Sequence, residues 1–437
     1  MERLLHYVWQ HRLYPADRLA TTAGQPVEVL SPGVHNTDAG PDFLQAQIRI
    51  GGVLWAGNVE IHLKSSDWEA HRHESDPAYN NVVLHVVSQA DKEVKTSAGM
   101  QLPQMIVEVP DYVKQNYEEL LHEETFPPCY RNATALPRLC RHSWLDALCT
   151  ERLEQKTGRL LLLLERLGGD WEHVCFAAIA RAFGFGVNSE AFERWAVALS
   201  MDDAACHRDN PLVTEALFMG MAGLLDEGAH RMHGHEEVLG DSYFRRLCLE
   251  YKSLGYEFEL HPIPFEAWRF LRLRPQNFPY LRLSQLAGLF CSWRATLSAL
   301  RSAESLDELR QCLKAECSPY WEEHYTFGRA CRRSTHHLSP SSIDSLVINA
   351  VVPLLFAYGK QFAHPEYGQR ALDWLSQIKP EQNSVTRRWC EVGLTSRSAA
   401  DSQALLQLRK SYCDRRDCLR CRFGLEYLKK TRVYPFV

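Results

Sequence analysis

The sequence predicts an α+β N-terminal domain, a mixed sheet flanked by helices, followed by a mainly α-helical C-terminal domain. Two alternating apolar and polar runs in residues 43–64, joined by Gly51-Gly52, predict an antiparallel hairpin. From about residue 140 onward, apolar residues recur at helical spacing. Between these regions, Phe126-Pro-Pro-Cys129 and Ala135-Leu-Pro137 break both patterns. We therefore divide the chain at residues 1–125 and 126–437.

The elements follow in order. Leu4, Leu5, Val8, Trp9 and Leu13 fall on one helical stripe and predict a first helix. Val27–Leu30 is a short strand closed by Ser31-Pro32-Gly33. In Phe43–Ile50, residues Leu44, Ala46, Ile48 and Ile50 share one face, with Gln45, Gln47 and Arg49 opposite. In Trp55–Lys64, Val59, Ile61 and Leu63 face inward, with Asn58, Glu60, His62 and Lys64 on the other side. Ser66 and Glu69 suit a capping box at a short helix start. Val82–Val87 and Gln104–Val109 complete the strands. Helices are expected at Trp144–Leu167, Pro211–Leu225, Tyr280–Leu300, Leu306–Cys317, Ile343–Tyr358, Arg370–Ile378 and Ser402–Tyr412, with Pro353 kinking or ending its helix.

Composition narrows the function class. At 437 residues the chain can bury a sizeable core. No uninterrupted apolar run reaches the ~18 residues of a membrane span. The longest apolar segment, Ile343–Tyr358, carries Asp344, Asn349 and Pro353. The N-terminus lacks signal-peptide layout, so a cytoplasmic location without membrane partners is expected. The net charge of −5 is unevenly spread. Residues 1–125 hold 9 basic and 18 acidic residues, whereas 409–437 hold 9 basic and 3 acidic ones. An acidic module ahead of a basic tail suits a metal-binding unit with an anion-binding companion. No Walker-type loop, dinucleotide fingerprint or Gly-x-Ser-x-Gly elbow appears.

The densest chemistry lies at Gly40-Pro-Asp42-Phe and Asn58-Val-Glu60-Ile-His62-Leu-Lys64. An Asp at one strand start and a Glu on its hairpin partner can share a hard cation such as Mg²⁺ or Mn²⁺. The cation activates water and neutralises charge growing on phosphate. This is the layout of the PD-(D/E)XK nuclease fold, which the N-terminal part resembles. Asp42 and Glu60 match it, but His62 stands where a Lys belongs, and Lys64 follows one pleat further. Glu2 or Gln10 on the first helix suits the acidic or polar residue that the fold often adds there. His71, His73 and His85, with His35 and His62 nearby, offer a second reading as a zinc site.

A wider resemblance rests on Gly57-Asn-Val-Glu-Ile-His, Ser66-Asp-Trp-Glu-Ala-His-Arg-His, Asp76-Pro-Ala-Tyr-Asn-Asn-Val-Val-Leu-His, Arg272-Leu-Arg-Pro-Gln-Asn-Phe-Pro and Tyr412-Cys-x4-Cys-x2-Cys. Through these motifs nearly the whole chain resembles the domain-of-unknown-function 2851 family of bacterial proteins. The resemblance implies no activity.

Cys413, Cys418 and Cys421 supply three-quarters of a site for Zn²⁺ or an iron–sulfur cluster, with Cys129, Cys140, Cys390 or a His as fourth ligand. Cys149, Cys175, Cys248 and Cys291, scattered singly among apolar residues, read as buried reduced thiols. Arg272 and Arg274, with Arg269, Arg282, Trp268 and Phe278, form a basic–aromatic cluster suited either to phosphates or to helix-end packing. The leading expectation is a metal-dependent phosphodiesterase acting on DNA or RNA, with Asp42 and Glu60 on the cation and His62 or Lys64 placing water and phosphate. The alternative is a non-catalytic scaffold that binds nucleic acid or protein on a degenerate nuclease-like fold.

Overall fold

The computed structural model describes residues 1–15, 19–334 and 336–430. The chain is mixed α+β, with an N-terminal mixed sheet and a largely helical remainder. It divides into two compact units. The first comprises Met1–Trp144, Arg388–Leu394 and Leu408–Val437; the second comprises Leu145–Arg387 and Thr395–Gln407.

In the first unit, helix α1 (Glu2–Gln10) precedes strands β1 (Val27–Ser31), β2 (Val34–His35), β3 (Phe43–Ile50) and β4 (Val53–Lys64). Helix α2 (Asp67–Ala70) and two 3₁₀ turns lead to β5 (Val82–Gln89) and β6 (Gln104–Ile106), and helix α3 (Asp111–His122) follows. The sheet order is β1-β3-β4-β5-β6, with β2 added on β3. The pairs β1/β3 and β3/β4 are antiparallel, whereas β4/β5 and β5/β6 are parallel. The helical crossover over residues 65–81 allows that switch, since parallel neighbours cannot be joined by a tight turn.

Helix α1 is too short to persist alone. It is held by Leu4, Leu5, Val8 and Trp9, all buried. Each such side chain contributes roughly 1.5–3 kcal/mol. The Trp9 indole also donates to Pro32 O at 3.0 Å. A second cluster, Trp68, Tyr79, Val82, Val94 and Leu102, packs below the crossover. Strand β5 is buried from Val82 to Val87, as a parallel strand covered on both faces should be.

Four sequence expectations change locally. On β3 the inward face is Phe43, Ala46, Ile48 and Ile50, and Leu44 is only half-buried. A bulge between Phe43 and Ala46, with Gln45 at φ 58°, shifts the phase by one residue. Ser66 does not cap α2; its hydroxyl donates to Asp91 at 2.8 Å instead. The helix expected at Tyr280–Leu300 is two, Pro279–Cys291 and Leu297–Ser302. Trp293 at φ 57° ends the first, and the Thr296 hydroxyl caps the second. Pro353 does not end its helix: a π-helical turn, Val347–Val351, precedes it and the helix runs on to Gln361. Widening the turn accommodates the carbonyl that the missing Pro N–H leaves unpaired.

Among its described residues the second unit is mainly helical, with one small hairpin, His324–Thr326 with Arg329–Ala330. Its segment Pro340–Gln361 is, by length and composition, apolar enough to cross a membrane. Of its apolar window, 67 % is buried inside the protein.

Candidate metal centre

The loop before β3 places Asp42. Asn36 spans it, its amide donating to Pro41 O at 3.1 Å while its backbone N–H donates to Asp42 O at 2.7 Å. Gly33 lies at φ 88°, and a Cβ there would meet Leu44 O at 2.7 Å, so only glycine fits this crossing. The pairing of Phe43 with Val59 then sets Asp42 beside Glu60. The Asp42 N–H donates to Glu60 Oε2, and Ile61 N–H donates to Asp42 Oδ2, each at 3.0 Å. Each carboxylate is thus fixed by the other strand's backbone.

Glu60 and His62 share one face of β4, as the alternation requires. That face is not solvated. Glu60 is 4 % exposed, His62 2 % and His85 0 %. The crossover covers it, bringing His71 and His73 over the strand. Glu60 Oε1 lies 3.2 Å from His73 Nε2 and 3.6 Å from His62 Nε2. His62 Nε2 is 3.1 Å from His71 Nδ1. One ring nitrogen from each of His62, His71 and His73 falls within 4.8 Å of the others. His85 Nε2 sits 2.9 Å behind, on His62 Nδ1. Tyr79 stacks on His73 with ring centroids 3.8 Å apart and holds its plane.

Burial dominates the electrostatics. It pushes the His62 pKa down to about 2, helped by the imidazoles of His85, His71, His73 and His6. Burial and then His73 lower His85 to about 4. Burial, then the Glu60 charge, pushes Asp42 up to about 7. Neutral imidazoles beside paired carboxylates are the state in which such groups accept a cation. His62, His71, His73 and Glu60 could hold one. His85 would then be the partner that fixes the His62 tautomer.

The candidate residues divide by location. Asp42, Glu60, His62, His71, His73 and His85 come together. Lys64 is exposed at the strand end, where its charge acts on Asp91. Arg272 and Arg274 are exposed and belong to the second unit, while Arg282 is buried on Gln285 and Asn277. Trp268 is core, its indole donating to Ala222 O. Cys413, Cys418 and Cys421 gather with Cys129 in the first unit.

Sequence reasoning missed His6. Its Nε2 lies 3.4 Å from Asp42 Oδ2, and burial followed by His35 lowers its pKa to about 4. The signal was present: Glu2, His6 and Gln10 lie four residues apart on one helical stripe. All three line a cavity of about 1070 Å³, which Arg3, Arg415 and Arg420 also line.

A family model described as "Protein of unknown function (DUF2851)" matches residues 2–384. No curated protein and no solved structure matches.

Proposed function

Because the chain belongs to the family of unknown function DUF2851, we propose its activity from the site alone: a metal-dependent phosphodiesterase acting on nucleic acid. One observation carries this reading. Buried Glu60 directs Oε1 at His73 and His62, inside a three-imidazole cluster, while its other oxygen joins Asp42 and, through His6, a large arginine-lined cavity.

His62, His71, His73 and Glu60 would hold the cation. A donor set of three imidazoles and one carboxylate suits Zn²⁺ or Mn²⁺ better than Mg²⁺, which favours oxygen ligands. The bound ion supplies a low-pKa water and neutralises charge on phosphate. Asp42, held by Ile61 N–H, places a carboxylate next to Glu60, on the side of His6 and the cavity. Arg3, Arg415, Arg416, Arg420 and Arg422 line that cavity against only Glu2 and Asp417, a balance that attracts a polyanion. The antiparallel β3/β4 hairpin carrying both carboxylates, with β5 parallel beside it, supports a PD-(D/E)XK-like core. The imidazoles replace the Lys chemistry of that pattern.

A second reading, a non-catalytic scaffold that binds nucleic acid or protein, is favoured by one feature. His62 stands in the Lys position, and Lys64 is exposed at the far end of the strand. The full chain, stripped of metal and reloaded with Mn²⁺, Zn²⁺ or Mg²⁺, should be tested on single- and double-stranded DNA and RNA. The expected result is cleavage with Mn²⁺ or Zn²⁺ that Glu60→Gln and His62→Ala abolish. Retained metal and nucleic-acid binding without cleavage would replace the enzyme with the scaffold. Absence of both bindings would refute the enzyme and the nucleic-acid-binding scaffold, leaving only a scaffold for protein.

A further inference from the structure

We propose that Cys129, Cys413, Cys418 and Cys421 form a closed four-thiolate site for a single Zn²⁺ ion, separate from the histidine centre, and that this ion holds the arginine-bearing segment 413–422 in the cavity wall. The inference does not rest on the phosphodiesterase reading.

All four cysteines are free thiols, and together with Pro128, Tyr412 and Gly424 they line one void of about 10 Å³. Cys129, Cys418 and Cys421 are each less than a tenth exposed. The convergence is long-range, because Cys129 comes from the turn ahead of Tyr130–Asn132 and the others from a Cys-x4-Cys-x2-Cys run almost 300 residues later.

Gly424 is needed for the geometry: a Cβ there would lie 2.0 Å from Cys418 O, where the closing helix, Arg422–Leu428, packs on the Cys418–Cys421 turn. Four protein sulfurs are the donor set of a structural zinc.

Charge is consistent with this. Zn²⁺ with four thiolates carries a net charge of about −2. Arg415, Arg416, Arg420 and Arg422 lie within or beside the knuckle, and Arg416 acts directly on Cys418. Arg416 also donates to Leu120 O and Glu123 O, tying the knuckle to α3 and the turn after it. The same arginines line the cavity, which Cys421 shares. The ion would therefore fix where this positive charge is presented.

The test uses the full chain, purified with zinc, and maps alkylation of each cysteine by mass spectrometry alongside metal content. Cys129, Cys413, Cys418 and Cys421 should be protected as a group. A chelator should expose all four together as one zinc equivalent leaves, with faster amide exchange over 408–428. Cys140, Cys206 and Cys390 are exposed and should label throughout. Cys418→Ser should lose one zinc equivalent that His71→Ala/His73→Ala retains, so this result stands even if the histidine centre binds nothing. Protection unchanged by chelation would mean plain core packing and overturn the proposal. Iron with acid-labile sulfide, lost in Cys418→Ser, would overturn the single-ion assignment.

Discussion

Replacing Asp42 by Asn should stabilise the metal-free protein, and only above acidic pH. Asp42 is held between Glu60 and His6 with its Oδ2 on Ile61 N–H. Burial and the Glu60 charge raise its pKa from 3.8 to about 7. Between those values the folded chain keeps a proton that the unfolded chain has released. Stability is therefore undiminished below about pH 4 and is lost as pH rises through about 7. At 1.36 kcal/mol per pH unit the full displacement is worth about 4 kcal/mol, which sets the ceiling. Asn keeps the acceptor for Ile61 N–H, the same oxygen that faces His6, and removes the charge. The assay is urea unfolding of wild type and Asp42→Asn, with chelator, at pH 4 and pH 8. The variant should gain up to about 4 kcal/mol at pH 8 and almost nothing at pH 4. Zn²⁺ or Mn²⁺ should narrow the gap, because a cation at Glu60 offsets the same repulsion. An equal gain at both pH values, or none at pH 8, would refute the reasoning.

Two further outcomes follow from single contacts. His85→Phe leaves His62 Nδ1 without its 2.9 Å partner. Cation affinity should drop about 10- to 100-fold by calorimetry with no loss of fold. Asn116, 2 % exposed, caps the end of the closing helix by donating to Leu428 O at 3.2 Å and Lys430 O at 2.9 Å. Asn116→Ala should cost about 1–3 kcal/mol in urea unfolding, since it strands buried carbonyls.

Much of the site was legible because strand alternation is a local rule. Glu60 and His62 must share a face of β4, and Gly51-Gly52 must join β3 to β4, whatever surrounds them. Asp42 opposite Glu60 follows from that hairpin. Burial of the polar face was not legible. Alternation marked Glu60 and His62 as the outward side, yet the crossover carrying His71, His73 and Trp68 closes over them. Lys64 shared their face by the same rule but lies beyond that cover, exposed near Asp91. The β3 bulge was invisible too, since one residue in a left-handed conformation leaves no trace in periodicity.

By itself, then, the sequence determined which side chains each strand and helix could present together: the hairpin carboxylates, the Glu2–His6–Gln10 stripe and the Cys413–Cys421 knuckle. Only the tertiary structure decided which of these groups meet. It brought Cys129 to the knuckle, His6 to Asp42, and His71 and His73 to Glu60. Local spacing is set by the geometry of one element, whereas these meetings depend on burying apolar residues far apart in the chain. The charge and donor balance of the site comes from those long-range contacts, and so does its chemistry.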